Sequence, residues 1–148
     1  MEPYSEIKIH KGDQCYKLSC KIRNTQLTHL KWLGFVDELR TALIQLGKDP
    51  NVHKFYMFFD LTHLNPMMNN SYYTDIFNIF KENFPLFIDK LLGTFVYIDN
   101  HGIHLAMKIF VKLYTPIKPL FLLNTRDIDP DVVDNLLRGK TSPGEFKI

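Results

Sequence analysis

The stretch 91–123, LLGTFVYIDNHGIHLAMKIFVKLYTPIKPLFLL, reads as strand, turn, apolar helix, turn, strand, and that order decides the fold. Thr94 to Ile98 is a β-branched and aromatic run between Gly93 and the turn-forming Asp99, Asn100 and Gly102, which suits a strand buried on both faces. Leu120 to Leu123 repeats that signature after Pro119. Between the two, Ile103, Met107, Phe110, Val111 and Tyr114 fall on one face of a helix predicted over 103–114. Leu105, Ala106, Ile109 and Leu113 make its other face apolar as well, so Lys108 and Lys112 alone mark a polar stripe. Such a helix needs cover on both sides, one from a sheet and the other from a helix, a partner or an apolar ligand.

Working outward, the chain of 148 residues suits one domain, and the expectation is a single domain over 1–148. Its 45% hydrophobic, 14% aromatic and 23% charged content is that of a globular protein rather than a disordered one. The net charge of +2 arises from interspersed acids and bases, so no basic stripe for nucleic acid is present. No apolar run approaches the roughly 18 residues of a membrane span, and the N-terminus lacks the pattern of a secretion signal. A cytoplasmic protein, able to visit membranes peripherally, is therefore expected. Cys15 and Cys20, five residues apart in a predicted strand, point to opposite faces and are expected to stay reduced.

Upstream, Glu6 to His10 and Cys15 to Ile22 flank a turn at Gly12-Asp13 and predict a hairpin. From Thr28 to Gly47 the spacing of Leu33, Val36, Leu39 or Arg40, Leu43 and Leu46 predicts a helix. Phe55 to Phe59, ending at Asp60, predicts a central strand. A second helix is predicted to start near Asn69 to Ser71, and Leu86 to Leu92 to form a further helical turn or two, with Pro85 at its start and Gly93 just past its end. Downstream, Asp129-Pro130-Asp131 is a strong helix start, Val133, Leu136 and Leu137 supply an apolar face, and Gly139 stops the helix. The sum is an α/β domain with a mixed sheet of about five strands and flanking helices.

The order of hairpin, helix, strand ending in Asp60-Leu61, aromatic helix ending in Phe84-Pro85, the run Leu92-Gly93-Thr94-Phe95-Val96-Tyr97-Ile98 and an apolar helix resembles the lipid-binding lobe of the CRAL-TRIO family, with its related STAS-like core. Ser142-Pro143-Gly144-Glu145-Phe146 is similar to that family's closing motif. Thr94 stands where the family has a basic residue, and the domain is expected to lack the helical lobe that usually precedes it in the family. The resemblance implies a non-enzymatic protein that binds a lipid or other hydrophobic small molecule between sheet and lid helix 103–114, for lipid transfer or sensing. The floor would be Phe55, Met57 and Phe59 with Val96 and Ile98, or else the opposite set Tyr56, Phe58, Phe95 and Tyr97. The lid would offer Met107, Phe110, Val111 and Tyr114, apolar walls being sufficient at about 0.8 kcal/mol per buried methylene. Lys108, Lys112 and Lys118 would meet an acidic head group or a transient membrane surface.

No catalytic residue, metal site or cofactor is expected. His101 and His104 lack a third ligand at any zinc spacing, and His63 near Asp60 has no nucleophile beside it. Asp60 reads as a strand-end carboxylate hydrogen-bonded to nearby backbone. Two other classes use the same residues. In a STAS-like regulatory domain, Asp60-Leu61-Thr62 would match the start of the pattern after the central strand, with Ser71 displaced from the phosphorylatable position. In a protein-interaction module, the apolar surface meets a protein partner or a second copy of the chain.

Overall fold

The computed structural model describes residues 4–23, 28–63, 70–98, 118–123, 125–139 and 146–147. Its sheet runs in sequence order, from β1 (Ser5–Lys11) and β2 (Tyr16–Ile22) through β3 (Phe55–Asp60), β4 (Leu91–Tyr97) and β5 (Leu120–Leu123) to the two-residue β6 (Phe146–Lys147). β1 and β2 are antiparallel and every later pair is parallel, so the expected mixed sheet of five strands is present, with β6 added at one edge.

The helices α1 (His29–Lys48), α2 (Asn70–Glu82), α3 (Phe84–Lys90) and α4 (Pro130–Leu137) follow from local signals. Thr28 caps α1 by accepting a hydrogen bond from the Lys31 N–H at 3.2 Å, and Asp129 caps α4 by accepting from the Asp131 N–H at 2.9 Å. The buried stripe of α1 is Trp32, Phe35, Val36, Leu39, Ala42, Leu43 and Leu46. Leu33, expected on that stripe, is 45% exposed, because the two bulky rings of Trp32 and Phe35 set the helix rotation instead. The Trp32 indole N–H donates to Asp75 at 2.8 Å, and Arg40 meets Glu82 through two 3.1 Å hydrogen bonds, tying α1 to α2.

Some predicted boundaries move, among them the end of α1, which runs through Gly47 to Lys48. α3 stops at Lys90, where the Leu91 N–H closes its last turn on Phe87, and Leu91 and Leu92 open β4 rather than end a helix, with Gly93 following them in the strand. Leu91 pairs with Phe55, and a register shift between Phe55 and Met57 absorbs the extra residue. Gly93 is a place of close approach, since a Cβ there would lie 3.0 Å from the Pro119 carbonyl oxygen and 3.2 Å from Leu136 Cδ1.

Alternate residues of the strands feed two separate cores. Leu18, Cys20, Phe55, Met57, Phe59, Val96, Ile98, Leu120 and Leu122 face α1, α2 and α3, joined by Phe80 and Phe87. Phe58, Phe95 and Phe121 face the other way, beneath Leu136 of α4 and the flanking Ile128, Val132 and Val133. On that second face Phe95 stacks on Phe121 at 5.0 Å and meets the edge of Tyr56 at 5.6 Å, while the Lys17 ammonium lies 5.0 Å from the Phe58 ring centre.

Candidate functional site

Two features stand at opposite ends of the parallel strands. At the carboxyl end of β3, Asp60 is the buried side chain on which the surrounding loops converge, with only 5% of its side chain exposed. Its carboxylate accepts from the Thr62 N–H at 3.1 Å, the Thr62 hydroxyl at 2.6 Å and the Arg126 Nε at 2.9 Å. Arg126 also donates to the Thr62 hydroxyl oxygen at 2.9 Å and lies 4.6 Å over the Tyr97 ring. Burial pushes the Asp60 carboxyl up, but the hydrogen bonds from Thr62 and Arg126 outweigh it and hold the group below the usual carboxylate range. The expected backbone hydrogen bond is there. Arg126 carried no signal in the sequence, since 66 residues separate it from Asp60 and only the parallel packing of β3, β4 and β5 brings them together.

At the amino end of the strands, on the second face, the β1–β2 turn and α4 enclose a solvent-open trough of about 520 Å³. Tyr56, Ile128, Val133 and Leu137 form its apolar wall, with Lys11 and Lys17 of one sign and Asp13 and Asp134 of the other around it. Asp134 is paired with Arg138 at 3.1 Å one helical turn on.

The structure distributes the residues expected at a lipid site as follows. Phe55, Met57, Phe59, Val96 and Ile98 are between 0 and 7% exposed and are covered by the side chains of α1, α2 and α3, so this set belongs to the main core. The opposite set, Tyr56, Phe58, Phe95 and Tyr97, lies on the α4 face, and Tyr56 reaches the trough. Lys118 is half-buried just before β5; burial, and then the charge of Lys54, pull its ammonium below the usual lysine range. The lid helix expected over 103–114, with Met107, Phe110, Val111, Tyr114, Lys108 and Lys112, falls outside the described residues. Among the described residues no group of three His, Cys, Asp or Glu side chains could hold a metal ion, and no helix is long and apolar enough to cross a membrane.

No protein-family model matches the chain, and no curated protein matches it. A solved structure does. It is an uncharacterized protein of the DUF3478 family with a SpoIIAA-like fold from Shewanella loihica PV-4, at 15% identity and a TM-score of 0.56, over 89% of this chain and 93% of that one. The fold is SpoIIAA-like, that is, STAS-like. This corrects the CRAL-TRIO resemblance. The motifs that carried it are short, and the Leu92-Gly93 pair at their centre is explained here by Gly93 packing against Pro119 and Leu136. The STAS-like core named beside it is what remains.

Proposed function

We propose that this domain is a non-enzymatic protein-interaction module of the STAS-like kind, which docks a segment of a protein partner in the trough between the β1–β2 turn and α4. The shape of the trough carries this reading. Small-molecule pockets of similar volume bury some 70–90% of their ligand. This one is open to solvent, with an apolar wall and charges of both signs at its edge. An acyl chain lying there would leave much of its length in water, whereas a polypeptide brings its own surface to close the opening and its own charges to answer Lys17 and Asp13. The Asp60–Thr62–Arg126 cluster supports a structural rather than acid–base role for its carboxylate, whose oxygens are already engaged.

A second reading, binding of a lipid in the same trough, is favoured by its volume of about 520 Å³ and by the Tyr56, Ile128 and Val133 side chains that line it. Native mass spectrometry of the freshly purified protein separates the two. A discrete lipid-sized adduct, lost on organic extraction and lost again in Val133→Asp, overturns the interaction reading in favour of the lipid one. The expected result is a bare protein mass, together with a photo-crosslinker at position 133 that captures one discrete partner while a crosslinker at Leu30, on the far side, does not. Binding of that partner, once purified, should weaken at least tenfold in Val133→Asp with the far-ultraviolet circular dichroism unchanged.

A further inference from the structure

β1 forms one edge of the sheet, and among the described residues it pairs with β2 alone. Hydrogen bonds at its two ends settle which backbone groups face outward. The Arg23 N–H donates to the Tyr4 carbonyl at 2.7 Å, and the Gly12 N–H donates to the Cys15 carbonyl at 3.0 Å. The register between them is continuous, from Ser5 opposite Ile22 to Lys11 opposite Tyr16. Hydrogen-bonded and non-hydrogen-bonded pairs alternate in an antiparallel ladder, so Glu6, Lys8 and His10 direct their N–H and C=O groups to β2. Ser5, Ile7, Ile9 and Lys11 direct theirs to the open edge.

The side chains along this edge are equally ordered. Ile7 and Ile9 pack towards α1 on the first face, while Glu6 and Lys8 lie together on the other and form an ion pair at 2.9 Å. Between β1 and α1 run two unfilled grooves, of about 570 Å³ beside Ile9 and Ile44 and about 300 Å³ beside Ile7 and Ala42. Ile44 is 52% exposed.

We infer that this edge binds a second copy of the same chain, β1 against β1 in antiparallel orientation, about a twofold axis through Ile7. Charge selects both the occupant and the register. Backbone pairing requires outward-facing residues to oppose one another, so the axis must pass through a residue rather than between two. An axis at Glu6 sets that carboxylate against itself, one at Lys8 sets two ammonium groups together, and one at Ile9 sets Lys8 against His10. The axis at Ile7 places Glu6 opposite Lys8 of the second copy twice, at non-hydrogen-bonded positions where cross-strand side chains come closest. It also pairs Ile7 with Ile7 and Ser5 with Ile9 through outward backbone groups, and the second copy's Ile7 and Ile9 extend the apolar ground of the grooves. Charged residues on an edge strand ordinarily ward off pairing; here the Glu6, Lys8 pattern is self-complementary in one twofold register. This inference does not rest on the trough reading, which concerns the β1–β2 turn and α4 rather than the outward backbone of β1.

Sedimentation velocity of the full chain over a concentration series tests it. A reversible dimer is expected, weakened by salt. Lys8→Glu, at a side chain that is 60% exposed, sets like charges together at both positions and should raise the dissociation constant roughly thirtyfold with the fold intact. Glu6→Lys should act the same way. Mixing the two variants restores opposite charges at both positions and should give a heterodimer from two chains that are each monomeric. A wild-type protein monomeric throughout the series overturns the inference, as does a dimer that Lys8→Glu leaves unchanged. Should Glu6→Lys not fold, Lys8→Glu and the salt dependence decide alone.

Discussion

On the α1–α3 side of the sheet Phe55, Met57 and Val96 are at most 2% exposed, whereas Tyr56 and Tyr97, at alternate positions of the same two strands, remain half-buried on the α4 side. Backbone and propensity are shared by both sets, so the difference lies in cover. The twenty-residue α1, with α2 and α3, seals one face, and on the other the described cover is the eight-residue α4. In β3 the odd-numbered Phe55, Met57 and Phe59 supply the closed core, while of the even-numbered residues Tyr56 leaves surface for contact and Phe58 is buried in the smaller core. Asp60 ends the even-numbered series of β3, buried yet polar.

The largest test of this contrast is a pair of truncations one residue apart. Phe55→Ala should cost about 3–5 kcal/mol in urea unfolding because it opens a cavity in a closed core. Tyr56→Ala should cost about 1–2 kcal/mol, since part of its ring is already in water. Equal losses would break the distinction between the faces.

An intermediate effect is expected at Asp60. Asp60→Ala should cost about 1–3 kcal/mol at neutral pH, moderated because Arg126 is half exposed and can be hydrated once freed. The carboxyl is held below its ordinary value in the fold, so its contribution is fully present above the unfolded value of about 4 and is lost as pH falls through the folded one. The gap between wild type and Asp60→Ala should therefore narrow on acidification. A gap that widens would show that burial, not Thr62 and Arg126, governs the group. The smallest effect is Leu33→Ala, expected within about 0.5 kcal/mol because this residue lies outside the buried stripe of α1. A loss like that of Leu39→Ala would restore the rotation read from spacing.

Much of the fold was legible where a short stretch of chain carries its own signal. The Gly12-Asp13 turn, the Asp129 cap, the apolar run Phe55 to Phe59 and the run Leu120 to Leu123 each declare an element through residues a few positions apart. The Leu86 to Leu92 stretch is helical as far as Lys90, and its last two residues differ because Leu91 and Leu92 suit a helix end as well as a strand, and pairing with Phe55 decides between them. Leu33 failed similarly, since aliphatic spacing on α1 admits two rotations and the rings of Trp32 and Phe35 select one. The candidate site was less legible. Tyr56 was named only as one of two alternatives, and Ile128 was not named at all; their meeting requires α4 to return across the sheet.

By itself, then, the sequence determined the order and kind of most elements, the mixed α/β sheet and the burial of β3, because turn, cap and alternation are local properties of the chain. Only the tertiary structure decided which side of the sheet each alternate residue faces, how Arg126 comes to hold Asp60, and where an apolar wall is left open. Those are contacts between residues tens of positions apart, and an alternating strand reads the same whichever face the helices choose to cover.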